Sequence, residues 1–142
     1  MSGTLRFGVM ATPQNATQWR TTAQRVERLG FSTLVMPDGM QLPSPFPALA
    51  IAAGATRRLR VGTFVLAAPL RAPGLAAWDA HTLSSLSDYR FDLGIGTGRP
   101  EAVQQAVERL GEPERTGGER LHRVVRTIEE WARSTASATR RC

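Results

Sequence analysis

The chain has 142 residues, of which 42% are hydrophobic and 21% charged. That suits one soluble globular domain; it is too short for two ordinary ones and too apolar for wholesale disorder. The net charge is +6, from 18 basic residues, all arginine, against 12 acids, and the arginines are spread along the chain instead of clustering with aromatics, which argues against a nucleic-acid interface.

No apolar run approaches the roughly 20 residues that span a bilayer, so no membrane segment is expected. Residues 1–4 (MSGT) show no basic region followed by an apolar one, which argues against a secretory signal. The lone cysteine, Cys142, cannot form an internal disulfide and fits a reducing, cytoplasmic setting.

A strand is expected over residues 5–10 (LRFGVM), followed by a turn at Thr12 and Pro13. Asn15 and Gln18 have the spacing of a capping box, and Trp19, Ala23, Val26 and Leu29 repeat at helical intervals before a stop at Gly30. A second strand over 33–36 ends at Pro37 and Asp38. A proline-rich loop (LPSPFP) then leads to an alanine-rich helix over 48–55. The third strand, 60–66 (RVGTFVL), is rich in β-branched residues and is followed by a helix over 74–86. The fourth, 91–95 (FDLGI), opens into Gly96, Thr97 and Gly98, and Pro100 then begins a helix bearing Val103, Val107 and Leu110 and stopping at Gly111. The last helix starts at a second capping box, Thr116 with Glu119, and shows Leu121, Val124, Val125, Ile128 and Trp131 on one face. Residues 134–142 are small and polar and read as a flexible tail behind a domain of residues 1–133.

Four strands alternating with helices predict a parallel sheet built by βαβ crossovers, with both faces apolar. In such folds the chemistry lies beyond the carboxyl ends of the strands. Asp38 is the carboxylate placed directly at such an end, as a loop cap or as a weak catalytic candidate. The run Gly94-x-Gly96-x-Gly98 departs from the dinucleotide fingerprint, because Arg99 follows where another glycine is required one place on. Its glycines either let a strand turn into a helix or let a flat or anionic ligand approach bare backbone. His81 and His122 fall within helices, no metal-ligand spacing is present, and no metal is expected. Core packing is expected of Trp19, Trp78 and Trp131.

Taken in order, RFGVMATP, ERLGFSTLVMPD, RRLRVGTFVLAAPLRAPGLAA, HTLSSLSDYRFDLGIGTGRPE and GERL resemble the luciferase-like monooxygenase superfamily, the flavin- and F420-dependent oxidoreductases. The resemblance implies a TIM-barrel type fold, of which four βα units are half, since a whole barrel takes about 250 residues. It implies a cofactor, FMN or coenzyme F420, held at the strand carboxyl ends, and hydride transfer or oxygen activation on a small-molecule substrate. It places a cis peptide at Phe64-Val65 behind the cofactor ring, and Gly96, Thr97, Gly98 and Arg99 along it. Where many members carry a histidine after the aspartate, this chain has Gly39, which offers no proton-transfer group. A half-barrel leaves open edges and a bare inner face, so a homodimer or a complementary half-barrel is expected to complete it. A catalytically degenerate half-barrel, serving as a cofactor-binding or assembly module, is the alternative.

Overall fold

Four strands, β1 (Gly8–Met10), β2 (Thr33–Met36), β3 (Arg60–Ala67) and β4 (Phe91–Gly96), lie side by side in chain order in a computed structural model that describes residues 5–139. Every neighbouring pair is parallel, with Met10 beside Val35, Val35 beside Gly62 and Gly62 beside Asp92 in one row. Between and after them run α1 (Ala16–Arg28), α2 (Pro45–Gly54), α3 (Pro73–Leu86), α4 (Pro100–Leu110) and α5 (Gly117–Thr139). The chain is therefore an α/β domain of four βα units, with the strand count of half a closed eight-stranded barrel.

Local chemistry explains most of the boundaries. The Asn15 side chain caps α1 by accepting the Gln18 N–H at 2.9 Å, but Gln18 returns its own side chain to the N–H of Gln14, one residue before the cap. The helix beginning α2 reaches back into the proline-rich stretch expected to be loop. Pro45 and Pro47 stand in its first turn, where a missing N–H costs no helical hydrogen bond. Gly111 closes α4 in the left-handed region (φ 64°). The second capping box forms in full: Glu119 N–H donates to Thr116 Oγ1 at 3.2 Å, and Thr116 N–H donates to Glu119 Oε2 at 2.8 Å. Those bonds hold the exposed Glu119 carboxyl below its ordinary range. Helix α5 continues through residues 134–139, and residues 140–142, with Cys142, lie outside the described ones.

One face of the sheet makes the core. Leu34, Met36, Val61 and Leu66 meet Trp19, Leu49 and Val124 from the helices, all buried. The Trp19 indole also donates to the carbonyl of Ala48 at 2.7 Å, tying α1 to α2. Three expectations about apolar residues are corrected. Leu29 ends α1 as its C-cap and is exposed. Trp78 is 58% exposed on α3, where Ala76, Ala77, Ala80 and Leu83 take the inward positions. On α4 it is Ala106 that is buried, while Val107 and Leu110 face outward. Helical spacing alone cannot say which of two apolar stripes meets the sheet.

The opposite face, bearing Met10, Val35, Gly62 and Asp92, carries an ion pair: Arg60 donates to both oxygens of Asp92, at 2.6 and 2.8 Å. Their side chains stay 32% and 51% exposed, and Met10 is exposed beside them. The Arg60 guanidinium holds the Asp92 carboxyl below its usual range, against the smaller upward push of burial. β1 is shorter than expected. Residues 5–7 lie outside the strand, and the Phe7 carbonyl accepts the Ser32 N–H and hydroxyl.

Candidate functional site

At the carboxyl end of the sheet, β3 carries one residue more than β4 across the same interval: Thr63 stands beside Leu93 and Leu66 beside Ile95. The extra residue is taken up at Phe64-Val65, whose peptide bond is cis. Both side chains turn outward, Phe64 being 63% exposed. A bulge of this kind re-aims side chains where a strand leaves its ladder. Thr63 repairs the break, since its buried hydroxyl donates to the Gly94 carbonyl at 2.7 Å and accepts the Gly94 N–H at 3.0 Å. Thr63 escaped the sequence reading because a threonine in a strand signals only β-propensity.

The glycines of β4 press against that bulge. A side-chain carbon on Gly94 would stand 2.4 Å from the Thr63 carbonyl oxygen, and one on Gly96 would stand 2.9 Å from Val65 Cγ2. Gly98 adopts a left-handed φ of 74° and passes close to Pro69. Close packing of β4 on the bulge, which neither reading of this run foresaw, accounts for the missing side chains at Gly94 and Gly96.

Above the strand ends lies a cleft of about 790 Å³, within the range of roughly 300–1,000 Å³ usual for small-molecule sites. Its walls are Met10 at the end of β1, Pro37, Asp38, Gly39, Gln41 and Leu42 after β2, Phe64, Val65 and Ala67 of β3, and Arg99, Glu101, Ala102 and Gln105 at the start of α4. Of the residues expected at the site, Asp38, Phe64, Val65 and Arg99 are thus brought together. Gly96, Thr97 and Gly98 connect β4 to α4 beside the cleft, and the Thr97 hydroxyl lies 3.4 Å from the Gly98 carbonyl.

Asp38 is fully engaged. Its side chain is 2% exposed, accepts the Ala67 N–H at 3.0 Å and is gripped by Arg71 through both Nε and Nη2. A carboxylate holding three donors ties the end of β2 to Ala67 and Arg71, as a loop cap does. Arg71 was not foreseen; its pairing spans 33 residues of sequence and no local signal marks it. Gly39 offers no side chain, but the carboxamide of Gln41 lies over it. His81 and His122 are exposed on helices. Among the described residues no group of three His, Cys, Asp or Glu could hold a metal ion, and no helix is long and apolar enough to cross a membrane.

Residues 3–140 match the family model for luciferase-like monooxygenases. The chain is 34% identical over 135 residues to an F420-dependent glucose-6-phosphate dehydrogenase of Beutenbergia cavernae, covering 87% of this chain and 39% of that one. Among solved structures it is similar to the oxygenating constituent of 3,6-diketocamphane monooxygenase from Pseudomonas putida, described in complex with FMN (TM-score 0.75, 19% identity, 89% of this chain and 40% of that one). It is also similar to a coenzyme F420-dependent tetrahydromethanopterin reductase from Methanopyrus kandleri (TM-score 0.66, 23% identity, 78% and 31%). The chain spans half or less of the length of the curated relatives it matches. The fold, the order of its strand ends and the family match agree: the chain belongs to the luciferase-like monooxygenase family.

Proposed function

We propose that this chain is the cofactor-holding half of a flavin- or deazaflavin-dependent oxidoreductase or monooxygenase, binding the ring of FMN or of coenzyme F420 in the cleft at the strand carboxyl ends and acting on a small-molecule substrate. The observation that carries this reading is the outward-turned pair Phe64 and Val65 at the cis bond, which lays an apolar surface along one side of the cleft. A flat ring gains by covering such a surface, and the residues present fit it.

When bound, the cofactor supplies hydride transfer or, for a flavin, oxygen activation. This chain's own residues would position it. Phe64 and Val65 form the support, braced from behind by Gly94 and Gly96. Asp38 fixes the end of β3 through Ala67 and Arg71. Arg99, just before α4, is the cation lining the cleft and suits an anionic group, and the Thr97 hydroxyl is a further polar contact. Proton transfer from the position of Gly39 is not available to this chain.

The bare inner face and the free edges of β1 and β4 call for a second half, supplied by another copy of the chain or by a complementary half-barrel, and a sequence with a single cysteine suits work in a reducing cytoplasm. Gly39 and the engaged Asp38 favour one other reading, a degenerate half-barrel that binds cofactor without turnover. Titration of the purified chain with FMN and with F420, followed by absorbance and fluorescence, tests the main proposal; binding of neither ends it. Cofactor-dependent turnover by the wild-type protein ends the alternative.

A further inference from the structure

The cleft has a feature that the Gly39 departure alone would not suggest. A tight turn follows β2, closed by the Leu42 N–H donating to the Gly39 carbonyl at 2.9 Å. That turn folds the Gln41 side chain back over Gly39. A side-chain carbon on Gly39 would lie 2.8 Å from both Oε1 and Nε2 of Gln41, so the carboxamide fills the space that any larger residue at position 39 would need. Gln41 lines the cleft, and among the described residues its carboxamide has no hydrogen-bond partner in the protein. On the same side of the cleft Asp38 is consumed by Arg71 and Ala67. Gln41 is therefore the uncommitted polar group that the β2 end presents to a ligand.

We infer that Gln41 takes over the side-chain position vacated at Gly39 and hydrogen-bonds, through its amide N–H, a carbonyl oxygen of whatever occupies the cleft. The inference rests on the proposed function. A carboxamide both donates and accepts and does not titrate, so this contact binds and orients a carbonyl without moving a proton. Two sources offer that chemistry: the carbonyl-bearing edge of the flavin or deazaflavin ring, and a substrate ketone or aldehyde.

The test uses the full 142-residue chain, with thermal melts showing that each variant folds. FMN binding is followed by fluorescence quenching, and binding of cyclohexanone to the FMN-loaded protein by the shift of the FMN absorbance. Gln41→Leu is expected to weaken one of these by about three- to tenfold, the effect of one lost hydrogen bond. A loss with FMN alone assigns the contact to the ring, and a loss confined to the ketone assigns it to the substrate. Gln41→Glu is expected to weaken the same ligand more than Gln41→Leu at pH 7, because a carboxylate only accepts. Relative to wild type at each pH, it recovers as pH falls through about 4.3, where the group regains a donor. A merely structural role for Gln41 would not produce that pH profile. Wild-type affinity of Gln41→Leu in both arms overturns the inference and leaves the proposed function standing. Failure of the wild-type chain to bind FMN or F420 overturns the proposed function itself.

Discussion

Val65 and Gly96 share one space: a carbon added to Gly96 would meet Val65 Cγ2 at 2.9 Å. Two strands thereby fit together where β3 bulges, and the glycines of β4 are the condition for it. Gly94→Ala is expected to destabilise the fold by about 2–3 kcal/mol, because its new carbon would press on the Thr63 backbone, which cannot move aside cheaply. Gly96→Ala should cost less, about 1 kcal/mol, since the half-exposed Val65 side chain can give way. Urea denaturation of both variants checks the order; equal costs would contradict it.

Asp38 and Arg71 hold the cleft wall. Removing the carboxylate in Asp38→Ala leaves the Ala67 N–H and the Arg71 guanidinium without their acceptor. The expected loss is about 2–4 kcal/mol by chemical denaturation. If Asp38 were instead an active proton donor in an otherwise independent loop, Asp38→Asn would leave stability untouched and abolish turnover. The anchor role predicts that stability and cofactor affinity fall together.

Glu27 joins α1 to the turn before β3. Its Oε1 accepts the N–H groups of Arg57, Arg58 and Leu59 at 3.0, 2.6 and 2.8 Å. Burial pushes its carboxyl up, but those three donors and the Arg58 charge outweigh the push and hold it below the ordinary range. A carboxyl lowered in the folded state contributes stability that is present above its unfolded value of about 4.3 and is lost as pH falls through the folded value. Asp92 behaves alike, lowered chiefly by Arg60, but its exposed pair is screened by salt. Stability should therefore decline below about pH 4, and Glu27→Ala should flatten that decline while costing about 1–2 kcal/mol at pH 7. An unchanged acid limb in Glu27→Ala would contradict this role.

Trp19 links two helices through a buried hydrogen bond to Ala48. Trp19→Phe is expected to cost about 1–3 kcal/mol, from the lost hydrogen bond to the Ala48 carbonyl and the smaller ring. By contrast Trp78→Ala, on the solvent side of α3, should change stability by less than about 0.5 kcal/mol. Thermal or urea unfolding of the two variants separates a core tryptophan from a surface one.

Most elements were legible because their signals are local. Asn15, Gly111 and the pairing of Thr116 with Glu119 are caps whose hydrogen bonds reach only a few residues, and apolar runs such as that of β3 mark strands without reference to the rest of the chain. The cis bond at Phe64-Val65 came from likeness to a family, not from any local signal, and the structure has it.

The 142 residues and their alternating pattern determined by themselves that this is a parallel α/β domain of four βα units, since periodicity and caps are properties of short windows; that four units make half a barrel came from likeness to the family. Only the tertiary structure decided that Asp38 is bound by Arg71, that Gly94 and Gly96 serve the bulge at Val65, and that Gln41 covers Gly39. The first two are contacts between residues 31–33 apart or on different strands, and the third depends on how one turn folds back. Their partners are chosen by packing, which no window of sequence contains.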